Sequence, residues 1–254
     1  MRTDRLSFGK GAANAKLAKL EKRIGKRILT FSLPAGKSCP WARECRAQVL
    51  ETEGGLCVKD GPHQKYRCYA ASMEARYSVI YESRKHNLEL CKAAARKSKY
   101  EVQRLLYDSA PSAATKLGGL DYVFRQHVAG DYFNLTYMRG WCLFANSLPN
   151  AIFYGHTKSL PLLFQCLEEG TVPLNMRWTI SHQTPRDELE AMDVQRLFHL
   201  AGSKGVRLVE TFVVDSEQAA ARLGLENDKD DFLAYEALKP YAIIIHGTQP
   251  KKVT

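Results

Sequence analysis

Apolar residues in this chain gather in short runs of strand-like composition, and four of the runs stop at, or one step before, a histidine. They are residues 122–127, 151–156, 176–182 and 241–246, ending on His127, His156, His182 and His246. Two further runs, 28–33 and 206–215, carry the same pattern. Between the runs lie stretches of helical length and period, at 135–147, 160–169 and 188–201, with a shorter one at 217–223. A long helix-like stretch spans 69–98 and a second 100–106, before Pro111, Gly118 and Gly119 mark a break. Such periodicities predict strands alternating with helices.

The spacing of the strand ends sharpens that expectation. Successive ends at His127, His156, His182, Asp215 and His246 lie 29, 26, 33 and 31 positions apart, each close to one strand plus one crossover helix. At least six strands alternating with helices predict an α/β fold with a parallel sheet curled into a partial or complete (β/α) barrel. No Gly-x-Gly-x-x-Gly follows any strand, so the dinucleotide-binding fingerprint is missing. In folds of this class the downstream strand ends share one face, and that face carries the site. The histidines therefore become candidates for one pocket, able to bind substrate or cofactor or to move protons.

Two residues near the histidines join them. Asp131 follows Gly130, where a glycine turn would present a carboxylate at the mouth of the fold, although the same residue fits a helix N-cap. Lys158, two residues after His156, would place a cation beside that mouth, unless it is a plain surface lysine.

With 254 residues, 45% of them hydrophobic and 25% charged, the chain can bury a substantial core. It contains no apolar stretch of membrane-spanning length and opens on Met1-Arg2-Thr3-Asp4-Arg5 without an apolar signal core, so no membrane partner is expected and the location is read as cytoplasmic. The net charge of +10 is uneven: residues 1–120 hold 24 Lys and Arg against 11 Asp and Glu, and residues 121–254 hold 13 against 16. The excess includes a basic helical extension over 1–27 ahead of one domain over 28–254. Such a basic half can attract nucleic acid, or can simply be a solvated face docking through Leu17, Leu20 and Ile24.

Four of the seven cysteines, Cys39, Cys45, Cys57 and Cys68, fall within 30 residues of one another. They sit in the stretch 34–68 that follows the first parallel strand, rich in Gly and Pro, whereas Cys91, Cys142 and Cys166 have apolar helical neighbours and read as core residues. Thiolates clustered in such a loop can hold zinc or an iron-sulfur cluster. Nearby Lys37, Arg43, Arg46, Lys65 and Arg67 are expected to lower the thiol pKa values. Intervals of five, eleven and ten residues leave three ligands (Cys39, Cys45 and Cys68) and four equally open.

Segments 31–45, 60–76, 127–133 and 154–159, with Asn14-Ala15-Lys16-Leu17, together resemble the phage "gene product 88" family. That family is in turn similar in layout to radical SAM proteins, in which three cysteines after the first barrel strand hold a [4Fe-4S] cluster. The resemblance implies Cys39, Cys45 and Cys68 as cluster ligands, with Cys57 as an extra ligand or an incidental thiol. It implies S-adenosylmethionine as a small-molecule cofactor, with Cys68-Tyr69-Ala70 closing the motif and Gly130-Asp131 holding the cofactor's amino group. His127, Asp131, His156, Lys158, His182 and His246 would then surround a substrate. A different reading of the same residues is a zinc-stapled nucleic-acid-binding protein without catalysis, and a third is a hydrolase with its metal on the histidines.

Overall fold

A computed structural model of the chain describes residues 4–62, 64–181, 188–245 and 249. Of the seven strands in its main sheet, six run parallel: β2 (Arg27–Ser32), β5 (Tyr122–Ala129), β6 (Ile152–Thr157), β7 (Met176–Ser181), β8 (Arg207–Val214) and β9 (Tyr241–Ile244). They lie side by side in chain order, and a two-residue strand β1 (Gly9–Lys10) pairs antiparallel with β2 at one edge. A separate hairpin, β3 (Ala47–Thr52) with β4 (Gly55–Asp60), stands in the cysteine-rich stretch.

Consecutive order has a consequence for the layers. Crossovers of one hand that always advance in one direction place every connecting helix on the same face. Helices α3 (Ser78–Lys97), α4 (Lys99–Ser109), α6 (Leu135–Asn146), α7 (Leu160–Glu168) and α8 (Glu188–Ser203) follow this rule. They share one core with Leu29, Phe31, Phe124, Phe153, Met176, Trp178 and Ile180 of the strands. Aromatic rings fill it: Phe124 stacks on Phe153 at 4.6 Å and Phe31 meets Trp141 edge-on at 5.3 Å. Burying one such side chain stabilises the fold by about 1.5–3 kcal/mol.

The alternate strand residues Ile28, Val123, Tyr154, Val209 and Tyr241 face the other way. They pack on α1 (Ala15–Ile24) through Leu17 and Leu20, and on α10 (Phe232–Glu236) through Leu233 and Ala234. The basic helix is thus docked on the sheet.

The parallel α/β sheet is formed, but a complete barrel is not, because the sheet is open. Among the described residues no strand joins β9 to β1 or β2. Short segments occupy both edges: β1 lies on β2, and at the far side Asn227 bridges to Ala242 of β9, with Asp228 N–H donating to Ala242 O at 3.0 Å. The helix-like stretch 69–98 also divides, into α2 (Tyr69–Arg76) and α3, at an extended Tyr77. Arg84 of α3 folds back onto α2, bonding Ala70 O at 3.3 Å and the buried Glu74 carboxylate at 2.7 Å. His182 and His246 lie outside the described residues.

Candidate metal and ligand site at the strand ends

The loop after β2 is held close to the sheet by backbone bonds and one buried carboxylate. Leu33 N–H donates to Ala129 O at 2.9 Å, and Ala35 N–H donates to Glu74 Oε1 at 3.0 Å. Ser38 caps the turn by donating to Pro34 O at 2.7 Å. Gly130 is required here: its φ is +81°, and a Cβ would stand 2.5 Å from Ser38 Oγ and 2.6 Å from Leu33 Cβ. Sequence reasoning treated Gly130 as a cofactor contact, and its immediate task is to let the cysteine loop approach.

The loop brings Cys39 and Cys45 to a cavity of about 610 Å³ beneath the downstream strand ends, and Cys68, at the start of α2, lines the same cavity. His127, Gly130, Asp131, His156 and Lys158 line it too, as does Tyr69, whose hydroxyl donates to Val128 O. Cys57 does not: it stands exposed on β4, paired with Leu50. Cys91, Cys142 and Cys166 are buried in the helical core. Among the described residues no three His, Cys, Asp or Glu side chains converge as ligands of a single metal ion.

The thiols do not have the electrostatics expected of them. Burial, then the Asp131 carboxylate, then Cys68 and Cys45 push Cys39 well above its usual value. Burial and Cys45 push Cys68 up to about 11. The neighbouring cations are engaged elsewhere: Lys37 donates to Tyr81 Oη at 2.8 Å, Lys65 pairs with Glu44 at 2.5 Å and Arg67 with Asp60 at 2.9 Å. Arg43 and Arg46 are exposed. Lys158 faces the thiols of Cys45 and Cys68. Burial would lower it, yet Cys45, Tyr66, Asp131 and Cys68 together hold its ammonium well above the ordinary lysine range.

Thr157 Oγ1 donates to Asp131 Oδ1 at 2.7 Å and Lys158 N–H to Oδ2 at 2.8 Å, so this carboxylate ties the end of β5 to the end of β6. The cap of α6 is Asn134, which accepts from Tyr137 N–H at 2.8 Å, so Asp131 is not the N-cap.

His127 turns away from the role proposed for it. The pairing of β2 with β5 shifts between Thr30 and Ser32, and His127 takes a left-handed φ of 49° in the bulge. Its ring lies against Tyr132 at 4.3 Å and Trp141 at 5.8 Å, with Nε2 3.0 Å from Tyr137 Oη. Burial, helped by Arg125, lowers its pKa to about 3. It is neutral at physiological pH.

His156 belongs to a polar chain across the open face. Arg125 Nη2 lies 2.8 Å from Nδ1, and because a guanidinium only donates, Nδ1 accepts and Nε2 carries the proton. Nε2 then donates to Tyr241 Oη at 2.7 Å, which donates to Thr179 Oγ1 at 3.2 Å. Arg125 Nε in turn binds Asp231 Oδ2 at 2.8 Å, and Lys16 of α1 reaches Asp231 Oδ1 at 3.0 Å. Burial pushes Asp231 up, but Arg125 and Lys16 outweigh it and hold the carboxyl well below its usual range. Part of the basic helix is therefore spent on internal partners: Arg23 pairs with Asp230 at 3.1 Å and stacks over Phe232.

Comparison with known proteins was decided by one match: the family model described as gene product 88 aligns with residues 6–252. The chain belongs to the gene product 88 family. No curated protein and no solved structure matches it. The match spans nearly all described elements, from β1 to β9, so the cysteine loop, the docked α1 and the 226–231 segment all lie within the family's own extent.

Within this gene product 88 chain, sequence reasoning missed Arg125, Asp231 and Tyr241. Arg125 had a signal: a cation inside a run that is otherwise buried needs a buried partner. Asp231 had none, since it stands 106 positions away. No helix among the described residues is long and apolar enough to cross a membrane.

Proposed function

We propose that this member of the gene product 88 family is a metalloprotein that holds an iron-sulfur cluster on Cys39, Cys45 and Cys68, in a layout like that of radical SAM proteins. The observation that carries the reading is selective convergence. Three of the seven cysteines, from two separate segments, line one cavity at the strand ends, while the other four stand elsewhere. Lys158, half-buried beside them, would offset the negative charge of a thiolate-bound cluster.

Three cysteine thiols are soft ligands of the kind an iron-sulfur cluster takes. A single ion needs its ligands at one point, whereas a cluster binds each thiolate to a different iron and takes them further apart. A sheet of six parallel strands in chain order, with helices α3, α4, α6, α7 and α8 on one face, supports the layout.

A cluster of this kind supplies one-electron chemistry, and S-adenosylmethionine is the small molecule the layout suggests. Among the described residues Asp131 Oδ2 accepts only the Lys158 N–H, which leaves a lone pair for the cofactor's ammonium. His156, neutral and fixed by Arg125 and Tyr241, would position substrate rather than bind metal.

Electron paramagnetic resonance of anaerobically prepared, chemically reduced protein tests this. The expected result is a cluster signal that changes when S-adenosylmethionine is added. An unchanged signal keeps the cluster and removes the cofactor; colourless protein carrying zinc alone removes both.

A further inference from the structure

The far end of the cavity, away from the thiols, contains polar atoms that nothing among the described residues satisfies. Ser181 Oγ on β7 and Thr211 Oγ1 on β8 are buried without a hydrogen-bond partner, as is Asp228 Oδ1 on the segment that edges β9. These residues are only 4%, 1% and 4% exposed, and all three line the cavity. Buried polar groups are nearly always paired, because leaving one unpaired forfeits its hydration without return. Three in one wall mark a place shaped for something else.

Their arrangement is specific. Ser181 and Thr211 are register partners on adjacent parallel strands, so their hydroxyls point from the same face side by side. Asp228 is fixed independently: its N–H donates to Ala242 O at 3.0 Å and its Oδ2 accepts from Ala234 N–H at 3.1 Å. Oδ1 can only accept when ionised, while each hydroxyl can both donate and accept. A row of adjacent hydroxyls on a ligand satisfies all three at once. Val213 and Ile243, one step further along β8 and β9 on the same face, add an apolar wall.

The charge around this end selects further. Lys16 and Arg125 are committed to Asp231, and Lys229 to Glu217 at 2.8 Å. Lys19, exposed on α1 one turn beyond Lys16, lines the rim and forms no ion pair among the described residues. We propose that Ser181, Thr211 and Asp228 form a subsite for the hydroxyls of a phosphorylated sugar, whose phosphate meets Lys19 at the rim. The subsite shares no residue with the thiols, so it stands or falls separately from the cluster.

Isothermal titration of the full chain with ribose 5-phosphate, adenosine 5′-monophosphate and adenosine, repeated with Cys68→Ser, tests the proposal. Saturable binding of a phosphorylated sugar is expected with and without Cys68. Asp228→Asn, which can still accept from Ala234 N–H, and Thr211→Val should each weaken it about tenfold. Lys19→Ala should weaken the phosphorylated ligands and leave adenosine unaffected. Thr211→Val should also leave the melting temperature of the free protein unchanged or raise it, since it removes an unpaired hydroxyl; a structural threonine would lower it. Tighter binding of the nucleotide assigns the apolar wall to a base, and equal binding assigns the site to a plain sugar phosphate. No saturable binding at millimolar ligand, or binding indifferent to Asp228 and Thr211, overturns the proposal.

Discussion

At the scale of single residues, the buried ionisable groups decide how the protein responds to pH. His127 has a folded pKa near 3, against about 6.5 in an unfolded chain. Its stabilising contribution is therefore complete above the unfolded value and is lost as pH falls from there towards the folded value, because only the unfolded chain takes up the proton. The loss approaches about 1.4 kcal/mol per pH unit. His127→Phe should flatten the fall in stability between pH 7 and 4.5, measured by urea unfolding, by about that slope, leaving the part that belongs to the buried His156. Asp231 acts in a lower window, since its depressed carboxyl contributes stability that is present above the unfolded pKa of about 3.9 and fades below it. Asp231→Asn leaves Arg125 buried without its charge partner and should cost about 3–5 kcal/mol at pH 7 by denaturant unfolding. Little of this was legible in the chain. A histidine at a strand end reads as a pocket residue, and nothing local announces the bulge that turns His127 into an aromatic layer.

At the scale of elements, strands were the most readable feature and their surroundings the least. The six apolar runs became β2 and β5–β9 because a strand buried on both faces writes its apolar content directly into the sequence. The hairpin β3–β4 was overlooked, since its outward positions are polar and its turn residues read as loop. The division between α2 and α3 carries no glycine or proline, and the Arg84–Glu74 pair links the two helices across it. Helix α1 reads as a basic strip, yet Leu20 is wholly buried beneath it. Leu20→Ala should therefore destabilise the protein by about 2–5 kcal/mol, measured by thermal or urea unfolding, as a core substitution does. An ordinary solvated helix would tolerate it.

At the scale of the whole molecule, repeat spacing near 30 residues revealed the parallel order but not the closure. Whether such a sheet closes depends on what reaches its edges, and here β1 and the 227–228 segment arrive first. The same openness leaves a cavity at the strand ends, walled by the cysteine loop on one side and by the 226–231 segment on another. Clustering of cysteines in the chain foretold the first wall; the second depends on long-range contacts that no local pattern encodes.

The central claim is that Cys39, Cys45 and Cys68 act together on a cluster while Cys57 does not. Iron and acid-labile sulfide, measured per chain in anaerobically purified protein and in the four single Cys→Ser variants, test it most directly. Both elements are expected in comparable amounts in the parent and in Cys57→Ser, and are expected to be lost from each of the other three. Iron and sulfide absent from the parent, or lost only with Cys57, would contradict it.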